Sequence, residues 1–287
     1  MFLQILMTEV KLKLQQRNFL KKMNKNVFFQ KIYNLYGPVT RARKCFLYTK
    51  KGVRITDCFQ ENGRAILGWQ GDNAFTHFKN VISRGQMGNF ICEDKSRLEK
   101  SVCCLLNSNR KIMFFAHKTE SLKAGLSISQ NNTAVYSPWA QNEPDWKNVD
   151  VVLIAPPFPW TDSVYILAVK AELLPENHKL TDFFNNNIDL PFSLQAGITR
   201  SIYNLIDQLS KRTEKDWFIY DSVLTKYWER KGPYLFSKIP QEKYDDFVMH
   251  CLKLGIVINP SFKEKSIVPF GADKGVFTIL KNSPFNF

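Results

Sequence analysis

The chain lacks the short signatures that announce a common chemistry. It has no GxxxxGK[ST] phosphate loop, no GxGxxG after a strand, no GxSxG elbow and no HExxH helix, so nucleotide hydrolysis, dinucleotide binding, serine-hydrolase and zinc-protease chemistry gain no support. Its six cysteines (Cys45, Cys58, Cys92, Cys103, Cys104 and Cys251) form no CxxC pair, and its four histidines (His77, His117, His178 and His250) are far apart in sequence. That pattern argues against a zinc site and a disulfide framework, and for buried thiols in a reducing compartment. No apolar run reaches the roughly 18 residues that a membrane span needs. The opening MFLQILM is apolar but too short for a signal-peptide core, so a soluble, cytoplasmic protein is expected. Acidic residues are mostly singletons, and Asp245-Asp246 falls on the solvent face of a helix, which leaves a carboxylate-dyad hydrolase without support.

What the chain does have is apolar and basic residues. Its 287 residues are 44% hydrophobic and 14% aromatic, enough to fill a sizeable core. The formal charge of +14 makes attraction to polyanions a candidate property, with nucleic acid as the partner to consider. The excess is diffuse, however, as in KKMNKNVFFQK, and a solvated basic surface accounts for it equally simply. Aromatics between Trp217 and Phe236, set among Lys226, Arg230 and Lys231, either stack bases or fill a core under a basic rim.

Residues 1–29 read as an amphipathic basic helix whose apolar side wants a partner, in the core, in a second copy or at a membrane surface. KCFLYTKKGVRITDCF alternates as a hairpin should, turning at Lys50-Lys51-Gly52 and closing at Asp57. Helices are expected over 73–83 and 95–106, the second burying Leu98, Val102, Leu105 and Leu106. Val151–Ala155 reads as a fully buried strand stopped by Pro156 and Pro157, and Val164–Val169 as another, ending at Lys170. A long helix over 190–209, a helix over 240–254 closed by Gly255, and further short strands complete an α/β or α+β pattern around one continuous core.

The stretch KIMFFAHKTESLKAGLSIS, 111–129, carries the most chemistry. Ile112–Phe115 makes a buried strand, and Thr119 can cap a helix starting at Glu120. The free N–H groups at such a helix start attract anions, with His117 and Lys118 beside them. An ordinary capped helix is the plainer alternative.

Taken together, three blocks resemble the class III aminotransferases, pyridoxal-phosphate enzymes of fold type I. GPVTRARKCFLYTKKGVRITDCFQENGRAILGW is similar to that family's N-terminal hairpin, with Gly52, Asp57 and Gly68 at matching places. FFAHKTESLKAGL looks like its FF..SGTEA.E.A.. block, with Thr119, Glu120 and Ala124 matching. YDDFVMHCLKLGIVINPSFKEKSIVPFGADKGVFTIL is similar to its C-terminal small domain. The resemblance implies a phosphate site at His117, Lys118 and Thr119, where the family's Ser-Gly is replaced by His117 and Lys118. It implies Lys170 as the nearest counterpart of the Schiff-base lysine, although no glycines follow it, no acid is evident for the pyridine nitrogen, and Ser266 stands where the substrate-binding arginine would fall.

The expectation is therefore a shortened aminotransferase-like α/β (or α+β) protein in three parts: a basic N-terminal helix over 1–30, a reduced core over 31–210 and a small-domain-like unit over 211–287. Transaminase catalysis is expected to be lost, with no pyridoxal phosphate bound and a role in binding or association, including a homodimer. The alternatives are a surviving pyridoxal-phosphate enzyme that uses Lys170, and a basic nucleic-acid-binding protein.

Overall fold

The computed structural model describes residues 25–86, 95–141, 143–160, 163–174 and 187–287. Most of the N-terminal segment, and Cys92 and His178, lie outside them, so the helix expected over 1–29 is seen only where α1 (Lys25–Tyr36) begins. Gly37, at φ 74°, ends α1 in a conformation that glycine adopts without strain. The expected hairpin follows as β2 (Phe46–Thr49) and β3 (Arg54–Asp57), preceded by β1 (Val39–Arg43), which the sequence reading did not mark as a strand.

Helices α2 (Asn73–Ser83) and α3 (Lys95–Leu106) lead into a sheet made of β4 (Arg110–Phe115), β5 (Thr133–Val135), β6 (Val151–Ile154) and β7 (Tyr165–Lys170). The strand order is β4-β7-β6-β5; β7 runs against both neighbours while β5 and β6 run parallel. All four residues of β6 are buried, as its unbroken apolar run demands when helices cover both faces. Alternate residues go to opposite sides. Val152, Ile154, Ile166 and Ala168 pack with Leu98 and Val102 of α3 and with Leu194, Ile198 and Ile202 of α5 (Phe192–Leu209). Val151, Leu153, Leu167 and Val169 pack with Ala124 of α4 (Lys118–Ile128). Gly125 lets α4 lie close to the sheet, since a Cβ there would stand 3.1 Å from Thr133 and 3.2 Å from Val151.

The rest of the chain builds a second layer. Two short helices, α6 (Lys215–Phe218) and α7 (Asp221–Leu224), precede the hairpin of β8 (Trp228–Lys231) and β9 (Tyr234–Ser237). Then come α8 (Tyr244–Lys253), β10 (Ile256–Val257), β11 (Ser266–Ile267) and α9 (Thr278–Asn282). β10 pairs in parallel with β3, and β11 pairs with β9. The β2–β3 hairpin thus shares its core with the C-terminal unit: Phe28, Phe46 and Ile55 pack with Trp228, Phe247 and Val257. The single continuous core expected from the sequence is divided instead: the sheet of β4 to β7, buried on both faces, separates the side chains above it from those below, and a further cluster forms around the β2–β3 hairpin.

Trp217, Tyr220, Tyr227 and Trp228 are buried, whereas Phe218 and Phe236 are exposed, so this aromatic stretch mainly fills a core. Cys45, Cys58 and Cys251 are buried free thiols; Cys104 is exposed. Among the described residues no helix is long and apolar enough to cross a membrane, and no cluster of side chains has the make-up of a metal site.

Candidate functional site

Strand β4 ends at Phe115 and passes through Ala116 and His117 into α4. The helix starts at Lys118, two residues before the expected start at Glu120. His117, extended at φ −126° and ψ 137°, is the N-cap residue, and no side chain caps the helix. Thr119 therefore sits inside the first turn rather than at the cap.

His117, Lys118 and Thr119 form one wall of a cavity of about 490 Å³. Its base is the end of the sheet, with Leu153, Ala155 and Tyr165. The opposite wall comes from the C-terminal unit: Tyr234 of β9 and the segment from Asn259 to Lys265 that leads into β11. An ion pair of 3.3 Å between Lys118 Nζ and Glu264 Oε1 spans the two sides. Asn259 N–H donates to Ser266 Oγ at 2.9 Å, and Asn259 Nδ2 donates to Asn62 Oδ1 at 2.9 Å, tying this segment to the turn after β3.

That turn is held by Asp57. Its Oδ1 accepts from the N–H groups of Phe59 and Gln60, both at 2.9 Å, and its Oδ2 accepts from Trp69 Nε1 at 2.7 Å. These bonds stabilise a run from Gln60 to Gly63 in which every φ is positive, a costly backbone for the three residues that are not glycine. Burial still dominates and pushes the Asp57 carboxyl up to about 6. Arg64, next along the chain, lines the cavity from a buried position; it donates to the carbonyl of Val164 at 2.7 Å and lies 4.6 Å from the centre of the Tyr165 ring.

Lys265 is a functional candidate that the sequence reading missed. Its Nζ donates to Ser137 Oγ at 2.8 Å and sits 3.4 Å from the centre of the Tyr234 ring, while Tyr234 Oη donates to the carbonyl of Pro138 at 3.0 Å. Burial, then the nearby Lys118 ammonium, lower its pKa to about 8 against the pull of Glu264. Ser266, the position compared with the family's arginine, is buried and accepts the Asn259 N–H; the cation is its neighbour Lys265. In sequence, Lys263, Glu264 and Lys265 resemble one solvated charge run, and nothing singles out the third.

Lys170 is not part of this cavity. The register pairs Phe115 with Tyr165 and Arg110 with Lys170, so Lys170 lies at the other end of the sheet, five residues or roughly 16 Å along the strand. There Lys170 Nζ lies 3.3 Å from Asp150 and 3.7 Å from Glu172. The buried Arg110 guanidinium completes that end by donating to the carbonyls of Trp146, Val149 and Asp150. The structure thus brings His117, Lys118 and Thr119 together and separates Lys170 from them, because β7 runs antiparallel to β4.

No family model matches the chain. It is 25% identical over 284 residues to an uncharacterised protein of Treponema pallidum, covering 83% of this chain and 91% of that one. It is 22% identical over 244 residues to an uncharacterised protein of Borreliella burgdorferi, covering 83% and 86%. Among solved structures, it superposes on the ornithine aminotransferase of Plasmodium yoelii with a TM-score of 0.59 at 12% identity, covering 94% of this chain and 96% of that chain. The ornithine aminotransferase of Toxoplasma gondii gives 0.60 at 11% identity, with coverages of 93% and 96%. The acetylornithine aminotransferase of Elizabethkingia anophelis gives 0.57 at 10%, with coverages of 88% and 96%. The chain has the aminotransferase fold.

Proposed function

We propose that this aminotransferase-fold protein has lost transaminase catalysis, and that it binds a small anion in the cavity at the start of α4 and associates with a second copy of itself. The observation that carries the first half is the position of Lys170, at the opposite end of the sheet from His117, Lys118 and Thr119 and ion-paired to Asp150. A lysine tied there does not reach a group seated on the α4 start.

Pyridoxal phosphate, which the resemblance implies, meets only part of what it needs. Lys118, Lys265 and the first N–H groups of α4 suit a phosphate. Among the described residues the only acid lining the cavity is Glu264, which is exposed and paired with Lys118, so none of them offers a free carboxylate to a pyridine nitrogen. The residues do not fit the cofactor as a working electron sink. What they support is charge recognition, with two ammonium groups converging on a space whose floor is apolar.

Two measurements test this. Protein incubated with pyridoxal phosphate, ornithine and an oxo-acid acceptor should form no transamination product, and borohydride should trap no adduct on Lys170. Product formation together with a Lys170 adduct would overturn the loss of catalysis. Calorimetric titration with inorganic phosphate should show saturable binding that weakens about tenfold in Lys118→Met, on the order of 1.4 kcal/mol. An absence of saturable binding would overturn the anion site.

A further inference from the structure

We propose that Lys265 is a carbonyl-reactive amine, held in the cavity by Ser137 and Tyr234 so that it condenses with a small aldehyde carrying a negative charge. This rests on the cavity being the anion site proposed above, and it gives that site a covalent chemistry.

The geometry isolates the amine from counter-ions. Among the described residues no carboxylate lies within ion-pair distance of Lys265, because the adjacent Glu264 is turned to Lys118. Its ammonium donates to the neutral Ser137 hydroxyl, at 2.8 Å, and an aromatic face lies on another side, 3.4 Å away. The charged groups around it are Lys118 from the start of α4 and Glu264 from its own segment; Tyr234 comes from β9, and burial pushes its phenol well above the ordinary range, leaving it uncharged. A lysine so placed holds its proton weakly, and a substantial fraction is the free amine near pH 8. Lys118 is a poorer candidate, since it carries the Glu264 pair.

In the step itself, the lone pair on neutral Lys265 Nζ attacks the aldehyde carbon and the carbonyl π bond opens to a carbinolamine. The carbinolamine oxygen then leaves as water, taking both amine protons, and a C=N bond remains. Nothing is oxidised or reduced. The anionic end of the aldehyde faces Lys118, which explains why a charged aldehyde is favoured over a neutral one.

The test uses the full chain with glyoxylate as the probe, with propionaldehyde as the neutral control and cyanoborohydride to trap the imine, read by peptide mass spectrometry. The expected result is that Lys265 is labelled at least tenfold faster than the exposed Lys263 two residues away, with glyoxylate preferred over propionaldehyde and the preference lost in Lys118→Met. The labelling rate should rise with pH through about 8. Lys265→Arg retains the charge and should abolish the label at that position, which keeps the test valid should Lys265→Met fail to fold. Labelling of Lys265 no faster than Lys263, or without preference for the anion, overturns the proposal. Phosphate binding that persists while Lys265 goes untrapped removes the imine and leaves the anion site standing; loss of both removes both.

Discussion

Asp57 shows how one residue reports on the wall of the site. It is fully buried and takes its hydrogen bonds from neutral donors, two backbone N–H groups and the Trp69 indole. Its pKa in the folded chain, about 6, is above the ordinary 3.8, so the folded state keeps the proton to higher pH than the unfolded state does. Its contribution is therefore most favourable below about pH 4 and is lost as the pH rises through about 6, a change on the order of 3 kcal/mol. Asp57→Asn stays neutral throughout and keeps the Oδ1 bonds, but sets an amide donor against the Trp69 N–H. Urea unfolding at several pH values should show the variant gaining on the wild type by roughly 2–3 kcal/mol between pH 4 and pH 7.5; a pH-independent difference would contradict the burial argument. Asp57 is visible in the sequence as the end of a hairpin strand. Its burial and its hold on Gln60–Gly63 were not visible, because they depend on Trp69 folding back over it. Lys265 was hidden for a related reason: only the pairing of Ser266 and Ile267 with Leu235 and Tyr234 turns it inward.

At the scale of elements, runs of apolar residues marked β4, β6 and β7 correctly, since burial on both faces leaves that imprint whatever the strand direction. Direction leaves no such imprint. The reversal of β7 is what carries Lys170 away from α4, and no periodicity in Tyr165–Lys170 distinguishes it from a strand running the other way. The turn between β8 and β9 was legible as Gly232-Pro233, and its geometry leads to a prediction. Gly232 has φ 58°, and a Cβ there would stand 2.2 Å from the carbonyl oxygen of Trp139, a backbone atom that cannot swing aside. Gly232→Ala combines left-handed strain with overpacking and should cost about 2–4 kcal/mol. Because this hairpin carries Tyr234 against Lys265, the same substitution should slow trapping of Lys265 at denaturant concentrations where the chain remains folded. An unfolding midpoint equal to wild type would show that the turn relaxes at no cost.

The whole molecule combines a small apolar groove beside a sheet edge with a large positive charge. Among the described residues β1 is the edge strand of the sheet of order β1-β2-β3-β10, and its residues Val39, Thr40, Arg41 and Arg43 are exposed. Beside it, Tyr33 of α1 is 55% exposed, and with Val39 and Leu47 it lines an apolar groove of about 330 Å³. An edge strand next to an apolar groove is a ready template for another copy, which is why the proposed association is assigned to α1 and β1. The net charge of +14 opposes it, and Arg41 and Arg43 sit on the strand itself. Self-association here must gain from apolar contact what it loses to like-charge repulsion, and salt weakens the repulsion, with a screening length of about 8 Å near physiological ionic strength, while leaving the apolar term. Sedimentation equilibrium should accordingly show a dimer that tightens as salt rises from low to physiological concentration. Tyr33→Arg should shift it toward monomer, with a thermal midpoint within a few degrees of wild type because Tyr33 is mostly in solvent. A chain that stays monomeric at high protein concentration in both salts, or a Tyr33→Arg dimer as tight as wild type, would place the interface elsewhere or remove it. Nucleic-acid binding driven by the same charge would respond to salt in the opposite direction, weakening as salt rises, so a single salt series separates the two partners.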